Sequence, residues 1–96
     1  MEKAMSIVTV FELSSMTTEK YDQVIRGLEA AGQGNPEGRL YHVASVQEDG
    51  SIIVTDVWES AELLDEFGKT LIPVLEKAGV SPAEPKVYPV HNVIVG

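Results

Sequence analysis

Histidine is the side chain that takes up and releases protons most readily near neutrality, and this chain has two, His42 and His91. His42 acquires a partner through strand register. Glu48-Asp49-Gly50 lies between two strand-like runs, residues 40–47 and 51–58, and a glycine there accepts the positive φ that hairpin loops demand. A three-residue loop sets Gln47 opposite Ser51. Opposite residues share a face, so Val46 then faces Ile52, Ala44 faces Val54, His42 faces Asp56, and Leu40 faces Trp58. That face is apolar apart from one His–Asp pair. A two-residue Asp49-Gly50 turn would shift the pairing by one and separate the two. The three-residue loop is preferred because it sorts polar from apolar side chains better.

A carboxylate that orients an imidazole on an apolar surface is a general-base arrangement. His42 and Asp56 are therefore the candidate catalytic residues, although the pair also reads as a hydrogen bond that merely satisfies two strand residues. Trp58 and Phe67 are candidates for a pocket wall, and equally for core aromatics. His91-Asn92 is a second polar pair and a candidate for ligand binding. The two histidines and Asp56 are the residue types of a two-His-one-carboxylate metal set. None lie at helical i, i+4 spacing, so no metal site is assigned. No phosphate loop, nucleophile elbow or dinucleotide-binding glycine pattern is present.

The elements that must hold these residues follow from periodicity. Residues 6–13 are rich in β-branched side chains and read as a strand. Ser14 to Thr17 supply turn and helix-capping chemistry. Tyr21, Val24, Ile25 and Leu28 fall at i, i+3, i+4, i+7, one stripe of a helix that ends near Ala31 before a glycine-rich stretch. The hairpin comes next. Ser60 then caps a second helix whose stripe is Leu64, Phe67, Leu71, Leu75 and Ala78, with Pro73 predicting a kink or break. Residues 86–95 read as a last strand, with Pro89 at an edge or bulge. The order βαββαβ predicts an α+β fold, a ferredoxin-like four-stranded antiparallel sheet with both helices on one face. Both faces of the strands carry large apolar side chains. A sheet face left bare of helices but lined by valines points to an interface, so a homodimer is expected. Hairpin register does not fix which face carries the helices.

Composition sets the outer limits. A chain of 96 residues is a single domain spanning residues 1–96, with 44% hydrophobic and 23% charged residues. It has no cysteine, which removes disulfides and thiolate chemistry. A net charge of −8, from 15 acids against 7 bases, argues against nucleic acid and anionic membranes as partners. No apolar run approaches the ~20 residues of a membrane span. Residues 1–5 lack the apolar core of a leader, so a cytoplasmic location is expected.

Together, the βαββαβ order, the Asp56-Val57-Trp58-Glu59-Ser60 junction, Phe67 in the following helix and the closing Pro89-Val90-His91-Asn92 resemble the dimeric α+β barrel superfamily. Within it the chain is most similar to the small antibiotic-biosynthesis-monooxygenase-like proteins. The resemblance covers nearly the whole chain. It implies two protomers packed sheet face to sheet face, with a pocket between sheet and helices in each. It also implies cofactor-independent oxygenation of phenols and quinols as one activity, and heme degradation as another. Heme-degrading members carry an Asn in the first strand, a Trp ending the third and a His in the second helix. Here Trp58 matches, but the first strand has no Asn and Gly68 stands near the position of the His. Heme activity is therefore not carried over, and no cofactor is expected.

Two functions remain as expectations. One is a cofactor-independent monooxygenase-like enzyme acting on an aromatic or polyketide-like small molecule. The other is a non-catalytic dimeric module that binds a small apolar ligand or serves as an accessory subunit. The surroundings of His42 and Asp56 separate them: a closed apolar cavity favours catalysis, and solvent or a dry interface favours the module.

Overall fold

The computed structural model describes residues 6–96. The reading of residues 1–5 as lacking a leader's apolar core lies outside the described residues. Six elements follow in the expected order: β1 (Ile7–Leu13), α1 (Thr18–Ala30), β2 (Arg39–Val46), β3 (Ile52–Trp58), α2 (Ala61–Lys77) and β4 (Lys86–Pro89). The strands form one antiparallel sheet in the order β2-β3-β1-β4. This is the ferredoxin-like α+β fold, and both helices pack on one face.

Each helix starts where capping chemistry places it. The Thr17 hydroxyl accepts from Lys20 N at 3.2 Å, and the Ser60 hydroxyl accepts from Leu63 N at 3.3 Å. Both satisfy amide groups that the first turn leaves unpaired. The helical stripes meet β1 and β3 in a core that includes Ile7, Leu13, Val24, Val54, Trp58 and Phe67. Met16 and Val80, in the connections, close its ends and are almost fully buried.

Three expectations need correction. Of the kink or break expected at Pro73, the break does not occur: α2 continues through that position. Proline removes one amide donor, and the apolar face on either side of it, from Phe67 to Leu75, remains packed in the core. The last strand ends at Pro89 rather than near residue 95. Its pairing starts opposite Val10 and ends at Ile7↔Pro89, with one more bond from Val90 N to Ser6 O at 2.9 Å. Pro89 brings no amide donor to the ladder. Lastly, Leu40 does not face Trp58. A bulge between Arg39 and Tyr41 sets Arg39 opposite Trp58 and leaves Leu40 half exposed.

The hairpin has the three-residue form. Gly50 adopts φ +88° and its amide donates to Gln47 O at 2.9 Å, while Gln47 N donates to Ser51 O at 2.8 Å. The Asp49 carboxylate accepts from both the amide and the hydroxyl of Ser51. These bonds, the hydroxyl first, hold its carboxyl below the usual carboxylate range.

At Gly68, inside α2, an added Cβ would meet nothing within 4 Å. Glycine costs a helix interior about 1 kcal/mol against alanine. Gly68→Ala is therefore expected to raise the thermal midpoint by several degrees, read by circular dichroism. A lower midpoint would show that the space beside Gly68 is filled.

Candidate functional site

The face shared by His42 and Asp56 is the one covered by the helices. Register pairs His42 with Asp56, Ala44 with Val54 and Val46 with Ile52. The hairpin loop length thus dictates the contact, and His42 Nδ1 lies 2.7 Å from Asp56 Oδ1. Asp56 sits on a central strand and its side chain is 5% exposed, whereas His42, on the edge strand, is 22% exposed. A carboxylate accepts only, so His42 Nδ1 carries the proton and donates.

The other ring nitrogen is also occupied. Tyr21 Oη lies 2.6 Å from His42 Nε2. With Nδ1 protonated, Nε2 accepts, so the tyrosine hydroxyl is the donor. Burial, the largest cause, raises the Tyr21 hydroxyl pKa above its ordinary value. The Arg39 guanidinium opposes this, and Asp56 and Asp22 reinforce it. The phenol therefore stays protonated and able to donate at neutral pH. The Tyr21 and His42 rings lie nearly parallel, 11° apart, with centroids separated by 6.0 Å. Thr17 fixes the start of α1, and that start turns Tyr21 toward the sheet with Val24 and Leu28.

Tyr21, His42, Asp56 and Arg39 share the wall of a small chamber of about 50 Å³ between helices and sheet. Most of its other lining is apolar and includes Phe11, Val24, Val54, Phe67 and Leu71. Such a volume suits one or two waters rather than an aromatic ring. A larger groove of about 430 Å³ runs outside it between α2 and residues 82–85, past Gly68. The two spaces share Phe11, Leu71 and Leu75 as their common wall. The groove has the size of a small-molecule site.

The bulge that displaces Leu40 brings Arg39 to the chamber. Its guanidinium carbon stands 5.9 Å from the Phe67 ring centroid, and one of its amino groups donates to Gly34 O at 3.2 Å. Gly38, just before it, has φ +88°, and a Cβ there would collide with the Leu63 side chain. Glu59 N holds Gly38 O at 2.8 Å. Only glycine allows that backbone path, and the path aims Arg39 inward.

The remaining sequence candidates fall in different places. Phe67 lines the chamber. Trp58 is fully buried behind it, 5.4 Å from the Phe67 ring centroid, and its indole N–H has no partner. The Thr9 hydroxyl, opposite Asp56 on β1, is likewise buried and unpartnered. His91 and Asn92 lie beyond β4, exposed, and away from the chamber and the groove. Among the described residues, no group of three or more His, Asp or Glu side chains converges as a metal site. No described helix is long and apolar enough to cross a membrane.

Tyr21 and Arg39 were not legible as site residues. Tyr21 sits in an apolar helical stripe. Its hydroxyl was the available signal, because a buried tyrosine needs a polar partner. Arg39 depends on a bulge that no residue pattern announces.

No family model matches the chain, and no curated protein matches it. Solved structures do. A protein from Deinococcus radiodurans, provisionally described as an antibiotic biosynthesis monooxygenase, aligns with a TM-score of 0.61 at 17% identity, covering 95% of this chain and 97% of that one. SnoaB, a cofactor-independent oxygenase from Streptomyces nogalater, aligns with a TM-score of 0.61 at 15% identity, covering 97% and 98%. A heme-degrading protein from Mycobacterium tuberculosis aligns equally well, at 18% identity and 97% and 99% coverage. Identities this low carry the fold and leave the chemistry to the residues in place. The chain has the ferredoxin-like α+β fold that these antibiotic-biosynthesis-monooxygenase-like proteins share.

Proposed function

We propose that this protein is a cofactor-independent monooxygenase-like enzyme, acting as a homodimer on an aromatic or polyketide-like small molecule that bears an acidic hydroxyl. The observation that carries this reading is the Asp56-backed His42 on the wall of an otherwise apolar chamber that also holds the Arg39 guanidinium. The apolar body of the substrate takes the groove beside Gly68, and its hydroxyl end reaches the chamber when the Phe11 side chain swings aside. His42 is the proton sink. Asp56 holds the ring in the correct tautomer and stabilises the imidazolium. Arg39 supplies positive charge where the substrate oxyanion develops, and it does so in surroundings of low polarity. A phenolate or enolate passes an electron to dioxygen far more readily than its neutral form. A reacting CH₂ group and O₂ then yield a carbonyl and water, one oxygen atom going to each. SnoaB, similar in fold, is itself described as a cofactor-independent oxygenase.

Mass spectrometry of the purified protein for co-purifying aromatics, followed by oxygen-uptake assays on phenols and hydroquinones, tests the reading. His42→Gln keeps hydrogen-bonding capacity and removes the base. It is expected to lower turnover about 100-fold. Full turnover by that variant would remove His42 from the mechanism.

A further inference from the structure

In the resting site His42 has no free nitrogen. Nδ1 is held by Asp56 at 2.7 Å and Nε2 by the Tyr21 hydroxyl at 2.6 Å. A base whose lone pair is already engaged cannot take a proton from a ligand directly. The tyrosine oxygen, by contrast, donates once and retains acceptor capacity, and Tyr21 lines the same chamber as Arg39. We infer that Tyr21 is the residue that contacts the reacting hydroxyl, relaying its proton to His42, so that the site selects ligands able to donate a hydrogen bond to a tyrosine oxygen. This rests on the reading of His42 as the proton sink and adds the catalytic group that touches substrate.

The step balances. The ligand O–H bond breaks and its proton bonds to Tyr21 Oη. The proton already on Tyr21 moves to His42 Nε2. The ligand is left as an oxyanion near Arg39, Tyr21 is neutral again, and the imidazolium is paired with the Asp56 carboxylate. No oxidant takes part. The raised Tyr21 pKa suits the role, because a relay must hold its own proton until a second one arrives.

The test uses 4-nitrophenol, whose phenolate absorbs in the visible, and 4-nitroanisole, its methyl ether, which cannot donate. The wild-type protein is expected to bind the phenol about tenfold more tightly than the ether and to show the phenolate band at a pH where the free phenol is mostly neutral. Tyr21→Phe keeps the ring and its packing. It should bring the two affinities within twofold. His42→Gln should keep the affinity preference and lose the band. Tyr21→Phe also frees His42 Nε2, so the affinity ratio decides: a Tyr21→Phe protein that still prefers the phenol about tenfold would overturn the contact between Tyr21 and the ligand hydroxyl, and the relay with it. A wild-type protein that neither prefers nor ionises the phenol would overturn the relay and the reading of His42 together. Nitrogen NMR of the wild-type imidazole gives a check independent of any variant. A proton on Nδ1 with Nε2 accepting supports the relay, and the reverse tautomer overturns it.

Discussion

Replacing His42 with leucine is expected to lower the unfolding free energy by about 3 kcal/mol, the upper end of what a hydrogen bond to a charged group contributes. The carboxylate left behind is the cause. Asp56 is 5% exposed, on a central strand, and its neighbours on that face are Val54 and Trp58. The Tyr21 hydroxyl loses its acceptor as well. The 22% exposure of His42 keeps the effect from being larger, since solvent can reach the pair from that side. His42→Leu combined with Asp56→Leu should recover most of the loss, because the uncompensated charge is gone. Urea denaturation of the two single variants and the double variant closes the cycle. A loss below ~0.5 kcal/mol in His42→Leu would mean that Asp56 is well solvated without its partner, and the low-polarity chamber on which the chemistry depends would be gone.

A lysine at Val57 is expected to split the protein into monomers. The sheet face away from the helices carries Val8, Val10, Val43, Ile53, Val57 and Tyr88. Val43 and Tyr88 on the outer strands are 57% and 52% exposed in the single chain. Thr55, Glu12 and Lys86 interrupt this face, but the row Tyr88, Val8 and Val57 is apolar across three strands and calls for a cover, and a second copy of the same face is self-complementary about a two-fold axis. The wild-type protein should sediment at about 21 kDa, twice the 10.4 kDa chain. Val57→Lys should sediment near the chain mass with its helical signal intact, because the side chain points away from the core. A wild-type monomer at micromolar concentration would defeat the dimer and require another cover for this face.

Much of the scaffold was readable because its signals are local. Helix starts at Thr17 and Ser60 are capping chemistry. The stripe from Tyr21 to Leu28 is a 3.6-residue period, and the His42–Asp56 pairing follows from loop length and the period-2 geometry of strands. The three-residue loop ending at Gly50 sets that pairing, and it is the register that segregates polar from apolar side chains.

The pair's surroundings were not readable. Which face the helices cover depends on crossover handedness acting on whole elements, and both strand faces here are apolar, so pattern alone could not choose. β4 stops at Pro89, although residues 90–95 carry the β-branched pattern of a strand. Pro73 removes a helical hydrogen bond, yet α2 continues through it, with its apolar face packed on both sides of that position.

The sequence alone determined the element order, the fold class, the hairpin register and hence the contact between His42 and Asp56, since each of these is set by neighbours in the chain or by side-chain period. Only the tertiary structure decided that Tyr21 would occupy the second nitrogen of His42 and that a bulge after Gly38 would turn Arg39 toward the chamber. Tyr21 reaches His42 from 21 positions away, once α1 lies across the sheet. Arg39 turns inward because the bulge sets it opposite Trp58, on the face under the helices. Both outcomes are contacts between elements, fixed by packing rather than by any local pattern.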